Sequence, residues 1–320
     1  MEKELTYTPK PEDFVIEGCD DAAAEQMPAV SLTYWQLSFK RFMENKVALA
    51  ATVVLLLIVL MTIIGPHLVP YDMEAVNLEH RNIRPCLAYW FGTDQLGRDL
   101  FSRVWEGGRV SIIIGLFGSL IVSVIGCIYG GIAAYFGGWV DNILMRIVEI
   151  LSSVPNMLVI ILLSVILDSS SVPTLLFAMC VTGWCPIARL VRSQMLQISS
   201  SEYVMAAKVM GVKPLTSVVT HFIPNTLSVI IVNITFRIPG FIFSEAFLSY
   251  VGLGVQPPAT SWGALCSGNG GGALVPAASL NFLFYPYQLV APAGLIALTM
   301  LCFTLIGDGL RDALDPKLRR

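Results

Sequence analysis

The stretch VALAATVVLLLIVLMTIIG, Val47–Gly65, contains 19 residues and no charged side chain. As an α-helix it would be about 28 Å long, at a rise of roughly 1.5 Å per residue. This length matches the hydrocarbon core of a bilayer, which is about 30 Å thick. A helix that is hydrophobic on every side belongs inside a core or a membrane. The stretch therefore predicts a membrane-spanning helix.

The composition of the whole chain supports the same conclusion. Of its 320 residues, 55% are hydrophobic and 13% are charged, and the mean hydropathy is +0.70. Soluble domains average about 25% charged residues. A chain this apolar cannot hide its surface in a water-soluble core, which excludes an ordinary soluble enzyme and a disordered protein. The net charge of −3 excludes a generally basic surface for nucleic acid.

Five further segments are apolar and long enough to cross a bilayer. They are Val110–Phe136, Ile143–Leu167, Pro173–Leu190, Thr226–Gly252 and Tyr287–Gly307. Within Pro173–Leu190, the residues Gly183, Trp184 and Pro186 interrupt the apolar run. We therefore predict an all-α integral membrane protein with six transmembrane helices.

The Lys and Arg residues between the spans indicate the orientation, because cytoplasmic loops carry an excess of these cations. With the N-terminus inside, 14 of the 20 Lys and Arg residues fall in the cytoplasm. No cleavable signal is expected, since the first thirty residues are acidic and lack an apolar run. The predicted organisation is a cytoplasmic tail at 1–46, a first span at 47–65, an extracellular loop at 66–109, a five-helix core at 110–309 and a cytoplasmic tail at 310–320.

The extracellular loop contains an amphipathic segment, Gly97–Arg109. As a helix, it would place Leu100, Phe101, Val104 and Trp105 on one face. Such a helix either lies at the membrane interface or packs on the other spans, and the pattern leaves both alternatives open.

The segment between the fourth and fifth spans, Ser199–Asn225, reads SSSEYVMAAKVMGVKPLTSVVTHFIPN. Ser201 can cap a short helix that Gly211 ends. A helix of only two or three turns is unstable alone in water, so it needs a docking partner. Ala206 and Ala207 form a face without bulk that allows close approach of another backbone.

This segment resembles the EAA loop of bacterial ABC importer permeases. In that loop, EAA is followed after three residues by Gly, and a Pro stands 13 positions further on; here these positions are Met205-Ala206-Ala207, Gly211 and Pro224. Met205 replaces the glutamate that the family usually has, which removes one charged contact to the ATPase. His221 stands where peptide-type permeases often have His.

Other segments are similar to the C-type permease subunit of dipeptide and oligopeptide importers. They are FGTDQLGRDLFSRVWEGGRVSI (Phe91–Ile112), FSEAFLSYVGLGVQPPATSWG (Phe243–Gly263), IGDGLRDALDPKLR (Ile306–Arg319) and SLTYWQLSFKRFMENKVALA (Ser31–Ala50). The resemblance covers residues 31–320, and its motifs occur in the order typical of this subfamily.

The resemblance implies a type I ABC importer permease fold in a bacterial inner membrane, with a coupling helix that docks on a cytoplasmic ATPase. The implied partners are a homologous second permease, two ATP-binding subunits and an extracellular or periplasmic peptide-binding protein. The implied coupling residues are Glu202, Tyr203, Met205, Ala206, Ala207, Gly211, His221 and Pro224. The chain has no Walker A pattern, so ATP hydrolysis would belong to the partners. No catalytic residue, metal site or cofactor is expected in this chain.

Two charged residues lie within the fifth span. Arg237 and Glu245 stand eight positions apart, on faces that differ by roughly 80°. Ionisable groups at this depth are expensive and usually face a cavity or a partner. They either line the translocation path, where they meet the charged termini of a peptide, or pair with a neighbouring helix or the second permease.

Two other residue pairs carry expectations. Arg146 and Glu149, one turn apart at the inner end of the third span, can pair with each other. Cys86 and Cys266 both fall outside the membrane on this topology, so a disulfide between them is an open alternative.

Other functions remain open on the sequence. A permease for nickel or another small solute in the same family differs little in its own chemistry. An ion-coupled secondary transporter with broken helices would need no coupling helix. A membrane-bound enzyme is disfavoured, since no nucleophile–base pair or metal pattern is present.

Overall fold

A computed structural model describes residues 34–71, 75–167, 171–199, 210, 223–257, 259–267 and 285–314. Within this part of the chain every long element is an α-helix. The helices are α1 (Tyr34–Glu44), α2 (Lys46–Ile64), α3 (Leu100–Phe136), α4 (Gly138–Ser153), α5 (Asn156–Ile166), α6 (Val172–Gly183), α7 (Cys185–Ser199), α8 (Ile223–Tyr250), α9 (Trp262–Ser267) and α10 (Tyr287–Leu314).

The predicted all-α membrane fold is confirmed. Four helical segments in the described residues are long and apolar enough to cross a bilayer: Lys46–His67, Leu100–Phe136, Thr226–Tyr250 and Tyr287–Leu314. Two bent pairs of helices, α4 with α5 and α6 with α7, pass the same test together, which makes six crossings when each pair is one span. Large apolar side chains on α2, such as Leu56 and Leu57, are exposed. In a membrane protein, lipid or a partner covers such a surface.

The third predicted span, Ile143–Leu167, is bent and is not one continuous helix. The angle between α4 and α5 is 78°. Pro155 lies at the bend, and Val154 before it is extended with φ −90° and ψ 132°. Proline pushes its predecessor out of the helical region and lacks the N–H that would continue the ladder.

The fourth predicted span is also two helices. Here α6 and α7 meet at 43°, at the interruption that Gly183 and Trp184 form in the sequence. The bend at this position agrees with the interruption seen in the sequence.

The segment Gly97–Arg109 is not a separate interfacial helix. From Leu100 onward it is the first part of α3, which continues to Phe136. Leu100, Val104 and Trp105 are all buried, so the segment packs against protein, as in the second of the two alternatives.

Arg103, near the start of α3, is part of a cluster of ion pairs with Asp94 and Arg98. Asp94 Oδ2 lies 2.6 Å from Arg103 Nη1 and 2.7 Å from Arg98 Nη2. The neighbouring loop also contacts the start of α10, where Gln288 Nε2 donates to the Thr93 carbonyl at 3.0 Å. These contacts fold the segment 75–99 onto the helices.

Parts of both predicted tails are helical. Residues 34–44 of the expected N-terminal tail form α1, which packs against α10. Helix α10 itself continues to Leu314, past the predicted boundary at 309.

Helix α3 is the central element of the bundle, and it contacts α2, α4, α6, α7 and α8. Small residues allow its neighbours to approach closely. A Cβ added at Gly126 would lie 2.7 Å from Ile187 Cβ, and one at Gly130 would lie 2.3 Å from the Ala188 carbonyl oxygen. Tight packing at small residues is the usual way in which membrane helices associate.

The Gly130→Ala substitution is expected to destabilise the bundle by on the order of 1–3 kcal/mol, because overpacking forces α7 away from α3. The adjacent Gly131→Ala is the matched control, since its Cβ would meet only Met195 Sδ at 3.7 Å. Thermal unfolding of the detergent-solubilised protein measures both variants. Equal midpoints for the two variants would contradict this account of α3–α7 packing.

Candidate functional site

A polar cavity lies between α5, α6 and α8, at the middle of the predicted spans. Its volume is about 340 Å³. The lining residues are Asn156, Ile160, Met179, Gly183, Asn233, Phe236, Arg237, Gly240, Phe241 and Ser244. More than half of them come from α8, so this helix forms the main wall.

Arg237 provides the positive charge of the cavity. The side chain is half-buried, and Nη1 donates to the Gly183 carbonyl at 3.5 Å, which is long for a hydrogen bond. Among the described residues no carboxylate lies within 4.0 Å of its guanidinium. The remaining donors of the guanidinium are available to a group that enters the cavity.

Two asparagines add uncharged polar groups to the same walls. Asn156 Oδ1 accepts a hydrogen bond from Thr182 Oγ1 at 2.5 Å. This bond joins the start of α5 to the end of α6, next to the two bends. Asn233 Nδ2 donates to the Val229 carbonyl at 2.8 Å. The aromatic rings of Phe236 and Phe241 supply apolar surface beside these amides.

Glu245 lies in different surroundings, away from the cavity. Its side chain is fully buried. Ser111 Oγ donates to Oε2 at 2.9 Å and Ser249 Oγ donates to Oε1 at 2.7 Å. The Trp262 backbone N–H donates to Ser111 Oγ at 3.2 Å, so this network joins α3, α8 and the short helix α9.

The structure therefore does not bring Arg237 and Glu245 together. Their faces differ, as the helical spacing predicts, and each has its own environment. Arg237 lines the cavity, and its place on the translocation path stays a prediction. Glu245 instead hydrogen-bonds with serines of α3 and α8, and it has no ion pair among the described residues.

Most of the residues that resemble the EAA loop, within Ser199–Asn225, lie outside the described part of the chain. These are Glu202, Tyr203, Met205, Ala206, Ala207, Gly211 and His221. Pro224 lies in the first turn of α8. The helices that lead into and out of the segment, α7 and α8, are both described.

A further ion pair, which no local sequence pattern predicts, joins α7 to α4. Arg192 Nε and Nη2 donate to the two carboxylate oxygens of Asp141, both at 2.5 Å. A bidentate arrangement of this kind fixes orientation as well as distance. Asp141 lies two residues before the predicted span Ile143–Leu167, and Arg192 lies two residues after the predicted span Pro173–Leu190. Both span ends are predicted to face the cytoplasm, and that shared position is the available signal, although 51 positions separate the two residues in sequence.

The predicted pairing of Arg146 with Glu149 is confirmed, with 2.9 Å between Nη1 and Oε2. Cys86 and Cys266 are both free thiols, so the alternative of a disulfide between them is wrong.

Two family models match the chain. Residues 122–320 match the binding-protein-dependent transport system inner membrane component. Residues 33–85 match the N-terminal transmembrane domain of oligopeptide transport permease C. The two matches together take in most of the described helices.

Curated relatives align over nearly the full length. The dipeptide transport system permease protein DppC of Bacillus subtilis (strain 168) is 43% identical over 307 residues, covering 96% of this chain and 93% of the relative. The oligopeptide transport system permease protein OppC of Escherichia coli (strain K12) is 39% identical over 298 residues, covering 92% and 95%. A glutathione transport system permease protein, GsiD of Escherichia coli O6:H1 (strain CFT073), is 36% identical over 303 residues, covering 93% and 97%.

A solved structure supports the fold. The inward-facing MetNI methionine ABC transporter contains a chain that superposes with a TM-score of 0.52 at 20% identity, covering 68% of this chain and 96% of that chain. This similarity shows the type I ABC importer permease fold.

Proposed function

The chain belongs to the family of binding-protein-dependent transport system inner membrane components, and we propose that it is one permease subunit of an ATP-driven importer of short peptides. The observation that carries this proposal is the 43% identity to a dipeptide permease across 96% of the chain. The names of the relatives describe transport of dipeptides, oligopeptides and glutathione, which are all peptide-like solutes.

The partners follow from the kind of system to which the relatives belong. We infer a homologous second permease that completes the pathway, two ATP-binding subunits in the cytoplasm, and a peptide-binding protein that docks on the extracellular loops. ATP hydrolysis belongs to the ATP-binding subunits. We propose that the complex lies in the bacterial inner membrane with both termini of this chain in the cytoplasm, and the distribution of Lys and Arg supports this orientation.

The mechanism proposed is alternating access. ATP binding closes the two ATPase chains, and the movement passes through the segment 199–225 to the spans on either side of it. Helix α7 ends at Ser199 and α8 begins at Ile223, so both ends of the segment are attached to helices of the bundle. The cavity lined by Arg237 lies between α8 and its neighbours. When these helices move, the side of the membrane to which the cavity is open changes.

Replacing Gly211 with Trp is expected to lower ATP-driven peptide uptake by at least about tenfold, equivalent to about 1.4 kcal/mol. The bulky side chain would block close docking of the short helix on its ATPase. The measurement is peptide uptake by membranes that contain equal amounts of the chain. Gly211→Ala is the milder member of the series and is expected to retain more transport. Unchanged uptake in Gly211→Trp would contradict the docking model.

The alternatives from the sequence are not favoured. Peptide-type names among the relatives support peptide rather than nickel as the substrate. Membership of a binding-protein-dependent family argues against an ion-coupled secondary transporter.

A further inference from the structure

A charged guanidinium inside a membrane protein requires compensation. Ionisable side chains at the depth of the spans are expensive, and they pair with opposite charge or face a water-filled cavity. Two other arginines have acidic partners: Arg103 pairs with Asp94, and Arg192 pairs with Asp141. The Arg237 guanidinium makes a long contact with the Gly183 carbonyl and has no acidic partner among the described residues. It lines a cavity instead.

The cavity walls match the chemistry of a peptide. A guanidinium has five N–H donors in a planar fork that fits a carboxylate. Asn156 Nδ2 and Asn233 Oδ1 are not used in the hydrogen bonds to Thr182 and Val229, so both atoms can hydrogen-bond with a peptide bond. Phe236 and Phe241 offer apolar surface to side chains. The volume of about 340 Å³ is of the size found in small-molecule sites, about 300–1,000 Å³.

We propose that Arg237 binds the C-terminal carboxylate of the peptide as it passes through the cavity, and that Asn156 and Asn233 contact its peptide bonds. The proposal rests on the proposed function and adds a step of selection within the membrane, after the binding protein. Because the cavity is shared by three helices, α5, α6 and α8, a movement of α8 against α5 and α6 would change the distance between the Arg237 guanidinium on α8 and the Asn156 amide on α5 and release the peptide.

The test uses the complete complex in proteoliposomes, with the binding protein, ATP, and two versions of one tripeptide. One version has a free C-terminal carboxylate and the other a C-terminal amide. The peptide is chosen by titration so that the binding protein accepts both, and each is supplied at a saturating concentration. Uptake rates are compared for the wild type, Arg237→Gln and Arg237→Lys. The control is Arg146→Gln, at a position on α4 where the side chain is exposed and paired with Glu149.

The expected result is a change in selectivity. The ratio of acid to amide uptake falls by at least about tenfold in Arg237→Gln, since one charge-assisted contact is lost. Arg237→Lys restores part of the ratio, and Arg146→Gln leaves it unchanged. Selectivity of the binding protein cancels, because the same binding protein serves every variant.

An equal ratio in the wild type and Arg237→Gln would overturn the proposal. It would indicate that the charge pairs with an acidic residue of the second permease, in which case both peptides slow equally. Absence of uptake of both peptides by the wild-type complex is a separate outcome that would contradict the proposed function itself.

Discussion

Replacing Asp141 with Asn is expected to reduce peptide uptake by the complex while ATP hydrolysis continues. Asp141 on α4 accepts both hydrogen bonds from Arg192 on α7. Helix α7 leads directly into the segment 199–225. Helix α3 packs closely against α7 at Gly126 and Gly130. We therefore expect α3, α4 and α7 to move as one unit when the ATPases pull on the segment.

The size of this effect follows from the exposure of the pair. The Asp141 side chain is 10% exposed and that of Arg192 is 32% exposed. Hydrogen bonds to charged groups contribute about 1.5–3 kcal/mol, and partial exposure to solvent reduces this. We expect the interaction between α4 and α7 to weaken by about 1–2 kcal/mol. This corresponds to a five- to thirtyfold lower number of peptides transported per ATP hydrolysed.

The matched control lies on the same helix. Glu149→Gln removes the partner of Arg146 in a pair that is 57% and 75% exposed, and we expect peptides per ATP to stay close to the wild-type value. The double variant Asp141→Arg with Arg192→Asp is expected to recover part of the coupling. If Asp141→Asn lowers uptake and ATP hydrolysis in equal proportion, the pair has only a structural role and the coupling interpretation is wrong.

Replacing Glu245 with Ala is expected to release the short helix α9 from the bundle. The substitution leaves the hydroxyls of Ser111 and Ser249 without their buried acceptor and opens a cavity, at a cost on the order of 3 kcal/mol. The reporter is Cys266 on α9, a free thiol. Burial first, and the nearby Glu245 carboxyl second, raise the pKa of Cys266 to about 12 from its ordinary value of 9.0.

Alkylation with a maleimide measures the release of α9, because only the thiolate reacts. In the wild-type complex Cys266 should react slowly at pH 7 and faster as the pH rises toward its pKa. In Glu245→Ala the thiol becomes exposed, its pKa falls, and its labelling at pH 7 should increase at least about tenfold. Exposed Cys86 is the internal standard and should react rapidly in both proteins.

Glu245→Gln separates the charge from the packing. This variant removes the ionisable carboxyl but keeps an oxygen that accepts from a serine, so Cys266 should react more slowly than in Glu245→Ala. Equal labelling rates in the two variants would show that charge alone controls the thiol and that Glu245 does not hold α9.

The spans could be predicted from sequence wherever one uninterrupted apolar run forms one helix. Val47–Gly65 is such a run, and it matches α2 closely. The hydropathy pattern does not predict the bend at Pro155, because hydropathy averages over a proline without sensing its effect on the chain. The pattern of Gly97–Arg109 leaves its packing open, because Arg103 makes the segment appear polar and the pairing of Arg103 with Asp94 depends on loop geometry.

The candidate site could be predicted only in part. A charged residue in an apolar run, such as Arg237, is visible in the sequence because such residues are rare. What it faces is set by the packing of three helices and is not encoded in a local pattern. The same limit applies to Asp141 and Arg192, because bends in the third and fourth spans determine which helix ends meet.

The central claim is that this chain imports peptides with energy from ATP. The most direct test is uptake of a labelled peptide into proteoliposomes that hold the complete complex, with the binding protein outside and ATP supplied to the ATPases. We predict uptake that requires hydrolysable ATP and the binding protein and that persists when an ionophore collapses the ion gradients. Uptake that stops with the ionophore and continues without ATP would contradict the account.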